Sequence, residues 1–518
     1  MHKKIIIGSR GSDLALWQAN FVLNELKKTG IEAEIKIIKT QGDKVQDLSL
    51  DKLEGKGFFT KEIEDALLAK ETDLAVHSHK DLPTTSPKEL IIAAVSERED
   101  ASELIIVNKN AVDTLRKFSF RKNAVVGTSS ARRKSQLLAF REDTKIKDIR
   151  GNVPTRIDKL KAKEYDAILL AAAGVERLGI DLNEFHVEKL DPYEFVPAPA
   201  QGVLALQIRK DDKKLFEILQ QLNCKDTQET IAIERKVLNL FDGGCQLPLG
   251  VYCEREEDTF KVWTAKAETW NSFPKLIYSE SKNPDGLAEA IVKKINNIKP
   301  TSVYITKDLR KSDLFLKALT GNGYQVNGRS LIEIKKVVFK RFPPIDWIFF
   351  SSKNAIRHFF EQRPEVSGVK FAALGKATAA ALRRYDKKAD FIGYSVDTKL
   401  TGKQFAATAR GGIVLFPQAK GGLRTIQMQF QNPKQVVDLS VYETIKKEDA
   451  EIPRAEILVF TSPTNVMAYF EKNKIDADQK IVAMGDATAN ALTQFGIKKY
   501  KLPNSFDDIG LVQAVFGI

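Results

Sequence analysis

Residues 127–156 read GTSSARRKSQLLAFREDTKIKDIRGNVPTR. An apolar strand over 123–126 runs into the small-residue turn Gly127-Thr128-Ser129-Ser130, and an amphipathic run, 131–140, follows it. A strand, a tight turn and a helix start leave backbone donors free and place the positive end of the helix dipole where an anion binds. Arg132 and Arg133 add planar forks suited to carboxylate or phosphate, and Arg150, Gly151, Asn152 and Arg156 follow the next short strand toward the same place. A solvated basic face is the plain alternative for any such run. Arginines at element ends, where lysines would serve if charge alone were needed, weigh against it.

The 518 residues are enough for three to five domains, each with its own core. With 43% apolar and 29% charged residues the composition is that of a globular protein. Net charge is +13, from 81 basic and 68 acidic residues, which suits acidic partners, small polycarboxylates and phosphates among them. No run of about 18 apolar residues occurs, so no membrane span is expected. The opening MHKKIIIGSRGS is too short in apolar residues for a secretory leader, and a cytoplasmic protein is expected. Three cysteines, Cys224, Cys245 and Cys253, form no CxxC pair and no disulfide framework.

The pattern at 127 has a precedent near the start of the chain. A strand over 4–7 enters Gly8-Ser9-Arg10-Gly11-Ser12, and 13–28 reads as an amphipathic helix with Leu14, Trp17, Phe21, Val22 and Leu26 on one face. Two similar lobes across an anion-binding cleft explain the recurrence. The glycine-bearing polar stretch 40–59 suits a loop over that cleft. In 73–83, an apolar strand ends in His77, Ser78, His79, Lys80, Asp81 and Pro83. Asp81 is there either a general acid or base at a strand end or a turn residue before proline. His77 and His79 share a strand face but lack a third ligand, and no metal is expected.

Ser9-Arg10-Gly11-Ser12, Gly55-Lys56-Gly57, Ala75-Val76-His77-Ser78, Lys80-Asp81, Gly127 to Arg133, Ile149-Arg150-Gly151-Asn152, Pro199-Ala200-Gln201-Gly202 and Asp242-Gly243-Gly244-Cys245-Gln246 together resemble the porphobilinogen deaminase (hydroxymethylbilane synthase) family. His79 stands where many family members carry Met. The resemblance implies an enzyme that joins four porphobilinogen molecules head to tail with loss of ammonia, on a dipyrromethane cofactor held by a thioether at Cys245. It implies Asp81 as the catalytic carboxylate. Lys80, Ser129, Arg132, Arg133, Arg150 and Arg156 are then expected around the cofactor, and Arg10, Ser12, Arg150, Arg156, Arg177 and Gln201 around the substrate.

Residues 300–518 carry an internal repeat. Phe349-Phe350-Ser351-Ser352 returns as Val459-Phe460-Thr461-Ser462, and Ala373-Leu374-Gly375 to Leu382 returns as Ala483-Met484-Gly485 to Leu492. Each copy reads as strand, helix, strand, helix, with hydroxyls at the strand ends. This half resembles the uroporphyrinogen-III synthase family, which closes hydroxymethylbilane into a ring with inversion of the last pyrrole. The resemblance implies Tyr442 as catalytic and Ser352, Thr378, Ser462 and Thr488 as substrate ligands; a helix N-cap is the alternative for each Ser or Thr.

The expected architecture is α/β throughout. The first half is read as two periplasmic-binding-protein-like lobes, 1–98 with 199–219 and 99–198, plus a small α+β cofactor domain at 220–298. The second half is read as two flavodoxin-like parallel-sheet lobes, 299–336 with 446–518 and 337–445. The expected reading is a monomeric, bifunctional tetrapyrrole enzyme acting on porphobilinogen and hydroxymethylbilane, with no nucleic acid, membrane or metal involved. A deaminase with a degenerate second half is the alternative. An anion receptor would not need Asp81 or the Gly-Gly-Cys loop, and a nucleic-acid binder would interleave aromatics with the basic residues, where 127–156 has only Phe140.

Overall fold

The computed structural model describes residues 4–40, 60–242, 246–393, 398–448 and 451–518. The expected cleft loop, 40–59, and the cysteine loop, 243–245, fall outside the described residues except for Thr40.

The first sheet is built from β1 (Ile5–Ser9), β2 (Ala33–Ile37), β3 (Leu74–Ser78), β4 (Leu90–Val95) and β10 (Leu204–Arg209), in the order β2-β1-β3-β10-β4. The second contains β5 (Glu103–Asn108), β6 (Val125–Gly127), β7 (Lys145–Lys147), β8 (Ala167–Ala171) and β9 (Phe185–Leu190), in the order β7-β6-β8-β5-β9. In each sheet three parallel strands are followed by an antiparallel one, β10 or β5, that enters directly from the other sheet. The strand-turn-helix at residue 5 and the one at residue 125 therefore occupy the same place in two sheets of the same order.

Helix α1 (Asp13–Lys28) covers β1 and β3 and buries Ala19, Val22 and Leu26. Phe21, expected on that buried face, is exposed and stacks on Trp17 at 5.6 Å. Helices α2 (Lys61–Leu68), α3 (Ala131–Phe140), α4 (Val153–Lys161) and α5 (Ala172–Arg177) follow. β8 stops at Ala171 and α5 starts at once at Ala172.

Two crossings join the lobes, between β4 and β5 and between β9 and β10. They touch at Gly202, whose φ is +88°; a Cβ there would lie 2.4 Å from the carbonyl oxygen of Glu99. After α6 (Lys213–Gln220), the helix α7 (Lys225–Leu240) packs with α8 (Leu287–Asn296) on an antiparallel sheet, β11 (Leu249–Glu256), β12 (Thr259–Lys266) and β13 (Lys275–Ser281).

The second half has two sheets. β14 (Ser302–Ile305), β15 (Gln325–Gly328), β22 (Ile457–Phe460) and β23 (Lys480–Ala483) are parallel, in the order β15-β14-β22-β23. β16 (Ile332–Lys336), β17 (Trp347–Phe350), β18 (Lys370–Ala373), β19 (Phe391–Ile392), β20 (Val414–Ala419) and β21 (Val436–Lys446) form the other, in the order β16-β21-β20-β17-β18-β19. β16 pairs antiparallel with β21, so this sheet reaches back before the expected boundary at 337. The helices are α9 (Leu314–Thr320), α10 (Lys353–Phe360), α11 (Lys376–Leu382), α12 (Thr398–Ala409), α13 (Pro463–Phe470), α14 (Asp486–Gln494) and α15 (Asp508–Phe516). The repeat is visible as β17-α10-β18-α11 and β22-α13-β23-α14.

A side chain at 202 meets both a left-handed backbone and the Glu99 carbonyl. Gly202→Ala is expected to lower stability by about 1–3 kcal/mol, read as a lower midpoint in thermal denaturation.

Candidate active site

β3 is buried through Leu74, Ala75 and Val76 and delivers the chain into a short 3-10 turn, His79–Asp81, at its C-terminal end. The turn is held from two sides. His79 N–H donates to the carbonyl of Val203 on the crossing at 2.9 Å, and Arg235 of α7 donates to the carbonyl of Leu82 at 2.9 Å. Asp81 is left exposed at the end of the turn, as a carboxylate available to a ligand. His77 and His79 are both buried. Burial pushes the pKa of His77 down to about 4, and burial with Arg235 and His77 pushes His79 down to about 3, so both are neutral. His77 bonds Gln207 at 3.0 Å, and no metal-binding cluster occurs among the described residues.

Glu103, the first residue of β5, is fully buried at 0% exposure. Its two oxygens accept from Arg132 Nη2 at 2.6 Å and Arg133 Nη2 at 2.7 Å. The other arms of these forks reach the carbonyls of Val196 and Leu169, each at 3.0 Å. Gln201 donates to Ala101 O at 2.7 Å and to Glu103 at 3.2 Å, and accepts from Lys80 Nζ at 3.1 Å. Burial alone would raise the pKa of Glu103, but Arg133, Arg132 and Lys80 outweigh it and hold the carboxyl at about 2. The same surroundings act oppositely on Lys80. Burial, with Arg133 and Arg132 nearby, brings its pKa down to about 8 although Asp81 and Glu103 favour its charge.

Arg156 comes from α4 of the other lobe and is half-buried, its Nε donating to Gly151 O at 2.9 Å. Its pKa is brought down to about 10 by burial and by repulsion from Arg133 and Arg150, with Asp81 acting the other way. The charge of Asp81 in one lobe therefore acts on Arg156 of the other, as do those of Arg133 and Arg150. Gly151, at φ +111°, turns the chain there; a Cβ would meet Thr155 at 2.6 Å. Ser129 Oγ donates to Ile149 O at 2.9 Å and accepts from Ile149 N at 3.1 Å, fixing this turn against the one after β6.

Arg10 and Ser12 lie half-buried after β1, and Ser12 begins α1 without a side-chain capping bond. Arg177 is placed at the lobe crossing, not in the Asp81 group. It pairs with Glu99 at 2.9 Å, donates to Gly202 O at 3.0 Å and lies over the Trp17 ring. Glu103 escaped sequence reading, as did a second buried carboxylate, Glu234 of α7, which accepts from Arg98 at 2.6 Å, Ala200 N at 2.6 Å and Cys253 N at 2.7 Å. The available signal was a carboxylate set among apolar positions of a strand or helix, which must find partners when buried. Cys253 is buried and Cys224 half-buried.

In the second half, the Ser352 hydroxyl caps α10 by accepting from Ala355 N at 3.1 Å and stands 3.4 Å from the Tyr442 hydroxyl on β21. The Tyr442 ring lies 5.7 Å from that of His358, which is buried in α10 and was not singled out in the sequence. Ser462 likewise caps α13, accepting from Asn465 N at 3.2 Å. Thr488 is buried in α14 and Thr378 is half-buried in α11. Among the described residues, no hydrogen bond or ring contact joins the Ser352–Tyr442 pair to Thr378, Ser462 or Thr488.

Residues 5–217 match the family model "Porphobilinogen deaminase, dipyromethane cofactor binding domain". The chain is 46% identical over 258 residues to a porphobilinogen deaminase of Oceanobacillus iheyensis, a match that covers 49% of this chain and 82% of that protein. This chain belongs to the porphobilinogen deaminase family. A deaminase of Bacillus thuringiensis is also 46% identical, over 261 residues, with 49% and 82% covered. Residues 313–513 match the model "Uroporphyrinogen-III synthase HemD", so the deaminase half is fused to a uroporphyrinogen-III synthase half. A solved uroporphyrinogen-III synthetase of Helicobacter pylori is 18% identical, with 40% of this chain and 96% of that chain covered and a TM-score of 0.33. A mutant synthase of Thermus thermophilus is 17% identical, with 41% and 95% covered and a TM-score of 0.29. The two domains make this a bifunctional enzyme of heme biosynthesis, with dipyrromethane as the cofactor of the deaminase half.

A lysine titrating near pH 8 loses its charge just above neutrality. Deaminase kcat/KM is expected to fall as pH rises through about 8, and Lys80→Arg, which stays charged, should shift that limb upward in a pH–rate profile.

Proposed function

We propose that the deaminase half builds hydroxymethylbilane from four porphobilinogen molecules at Asp81, on a dipyrromethane tethered to Cys245, and that the synthase half closes it to uroporphyrinogen III. The observation that carries the reading is the exposed Asp81 carboxylate at the end of the turn after β3, next in the chain to Lys80 and close enough to Arg156 of the other lobe to act on its charge.

The donor set suits the cofactor. Dipyrromethane brings carboxylates, and Lys80, Arg132, Arg133, Arg150, Arg156 and Ser129 supply cations and a hydroxyl. Arg133 Nε is buried and has no hydrogen-bond partner among the described residues, so it remains available for one. Arg235 of α7 holds the Asp81 turn, and Cys245 lies five residues beyond the end of that helix in the sequence. When bound, the cofactor supplies the pyrrole end from which the chain grows. Tethering makes each addition intramolecular.

Asp81 assists departure of the amino group of porphobilinogen, stabilises the cation that remains on that substrate, and accepts the pyrrole proton after the carbon–carbon bond has formed. Lys80, two bonds from Glu103 through Gln201, keeps positive charge beside the carboxylate and orients the substrate acids. Arg10, Ser12, Arg150 and Arg156 bind the incoming acetate and propionate, while Arg177 and Gln201 set the separation of the lobes that the pyrroles occupy. A charge-assisted hydrogen bond contributes about 1.5–3 kcal/mol, so several arginines are needed to hold each ring.

In the synthase half, Tyr442 assists loss of the hydroxyl from hydroxymethylbilane, with Ser352 as its hydrogen-bond neighbour. Thr378, Ser462 and Thr488 line the same cleft on this reading. Ser352 and Ser462 already cap helices, which leaves their hydroxyl protons and the helix N-termini as donors to carboxylates.

Asp81→Ala is expected to abolish porphobilinogen consumption while intact-protein mass spectrometry still shows the two-pyrrole adduct; the adduct should vanish in Cys245→Ser. Near-normal turnover in the first variant would refute the role of Asp81. Tyr442→Phe should slow cyclisation and raise the proportion of type I product formed spontaneously, and an unchanged isomer ratio would remove Tyr442 from the mechanism.

A further inference from the structure

The last helix of the chain, α15, reads DIGLVQAVF, with Asp508 in its first turn and Gln513 as its polar residues. Every residue from Ile509 to Phe516 is buried, with Val512 and Val515 at 0% exposure. A helix covering one face of a two-layer lobe keeps a polar side toward water; one buried all round has protein on every side. On one side α15 packs beside α9 and against the parallel sheet at β23. On the other it lies along β13 of the small antiparallel domain, part of the deaminase half. Val262, Ile277 and Ile291 of that domain and Val303, Val459 and Val515 of the synthase half belong to a single hydrophobic cluster.

Three contacts outside this cluster lie on the same boundary. Gly321, at the end of α9, has a φ of −63°, open to any residue, yet a Cβ there would lie 2.8 Å from Cβ of Phe273 in the loop before β13. Gly517, just after α15, is so close to α8 that a Cβ would stand 3.5 Å from Lys294 Nζ. Lys317 of α9 pairs with Glu142 at 2.9 Å, just beyond α3 of the second deaminase lobe. The synthase half thus touches both the small domain and the lobe that carries Arg132, Arg133 and Arg156.

We propose that the two halves share one core and unfold as one unit, with α15 serving as a structural wall of the deaminase half. In a merely tethered pair, the boundary would be wetted and the outer face of α15 polar. Here, opening it would expose the apolar surfaces of both partners, so loss of packing in one half removes support from the other. The fusion therefore couples the stability of the enzyme that makes the intermediate to that of the enzyme that consumes it.

The test uses the full chain and a probe for each half. Val515→Asp places a charge in the shared core, and Gly321→Ala, a milder change, presses on Phe273 and on the carbonyl oxygen of Lys317. The wild type is expected to show one calorimetric transition. In both variants the temperature at which porphobilinogen consumption is lost should fall together with that transition, by about 5 °C or more for Val515→Asp. Two separate transitions in the wild type, or variants that shift synthase unfolding and leave deaminase heat inactivation unchanged, would overturn the proposal. Calorimetry does not need catalysis. A protein that failed to consume porphobilinogen yet unfolded in one coupled step would sink the functional reading and leave this one standing.

Discussion

The buried carboxylate of Glu103 is the point on which the deaminase half depends. Taking an unpaired carboxylate out of water costs several kcal/mol, and this one is compensated by Arg132 and Arg133, one on each oxygen, with Gln201 as a third donor. The pairing also runs the other way. Two adjacent guanidiniums on α3 would repel each other in the interior without an anion between them. One negative charge does not neutralise two arginines and Lys80, so the interior keeps a positive surplus that faces the exposed Asp81. On the proposed function, a cleft holding an oligomer that gains two carboxylates with each pyrrole would need such a surplus before the ligand arrives.

From Glu103 the polar chain continues to the rest of the half. Gln201 joins it to Lys80, and the carbonyl of Gln201 accepts from Arg98 at 3.0 Å. Arg98 in turn is bound by Glu234, the buried carboxylate of α7, which also holds the backbone of Ala200 and Cys253. Two buried acids thus tie the lobe crossings to both the second lobe and the small domain, and Gly202 allows the crossings to touch. Several arginines of the sequence pattern are committed inside the protein in this way. Their burial also separates this site from a nucleic-acid surface, where guanidiniums line an accessible groove.

The synthase half uses different means. Among the described residues no arginine cluster is found at the Ser352–Tyr442 pair; the polar groups there are hydroxyls, helix N-termini and a buried His358 whose pKa is lowered by burial and by Arg357. Donors of this kind suit a reaction in which folding a flexible chain brings its ends together. The half is joined to the deaminase by packing around α15, so the apolar boundary between halves and the polar network within the first half are two separate constraints on one chain.

The sequence alone determined the strand-turn-helix units at residues 5 and 125, the limits of α1 and α3, the repeat in the second half, and the motifs that mark both families. These are local patterns, written in neighbouring residues, and glycine, serine and apolar spacing suffice to read them. The tertiary structure decided which charges are spent and which remain. Nothing adjacent to Glu103 in the chain reveals that it will meet Arg132 and Arg133, or that Arg177 will pair with Glu99 at the crossing. It also decided that β16 joins the later sheet and that α15 is shared between halves. Pairing and burial of this kind depend on segments tens to hundreds of residues apart, and only the folded chain brings them within hydrogen-bond or van der Waals distance.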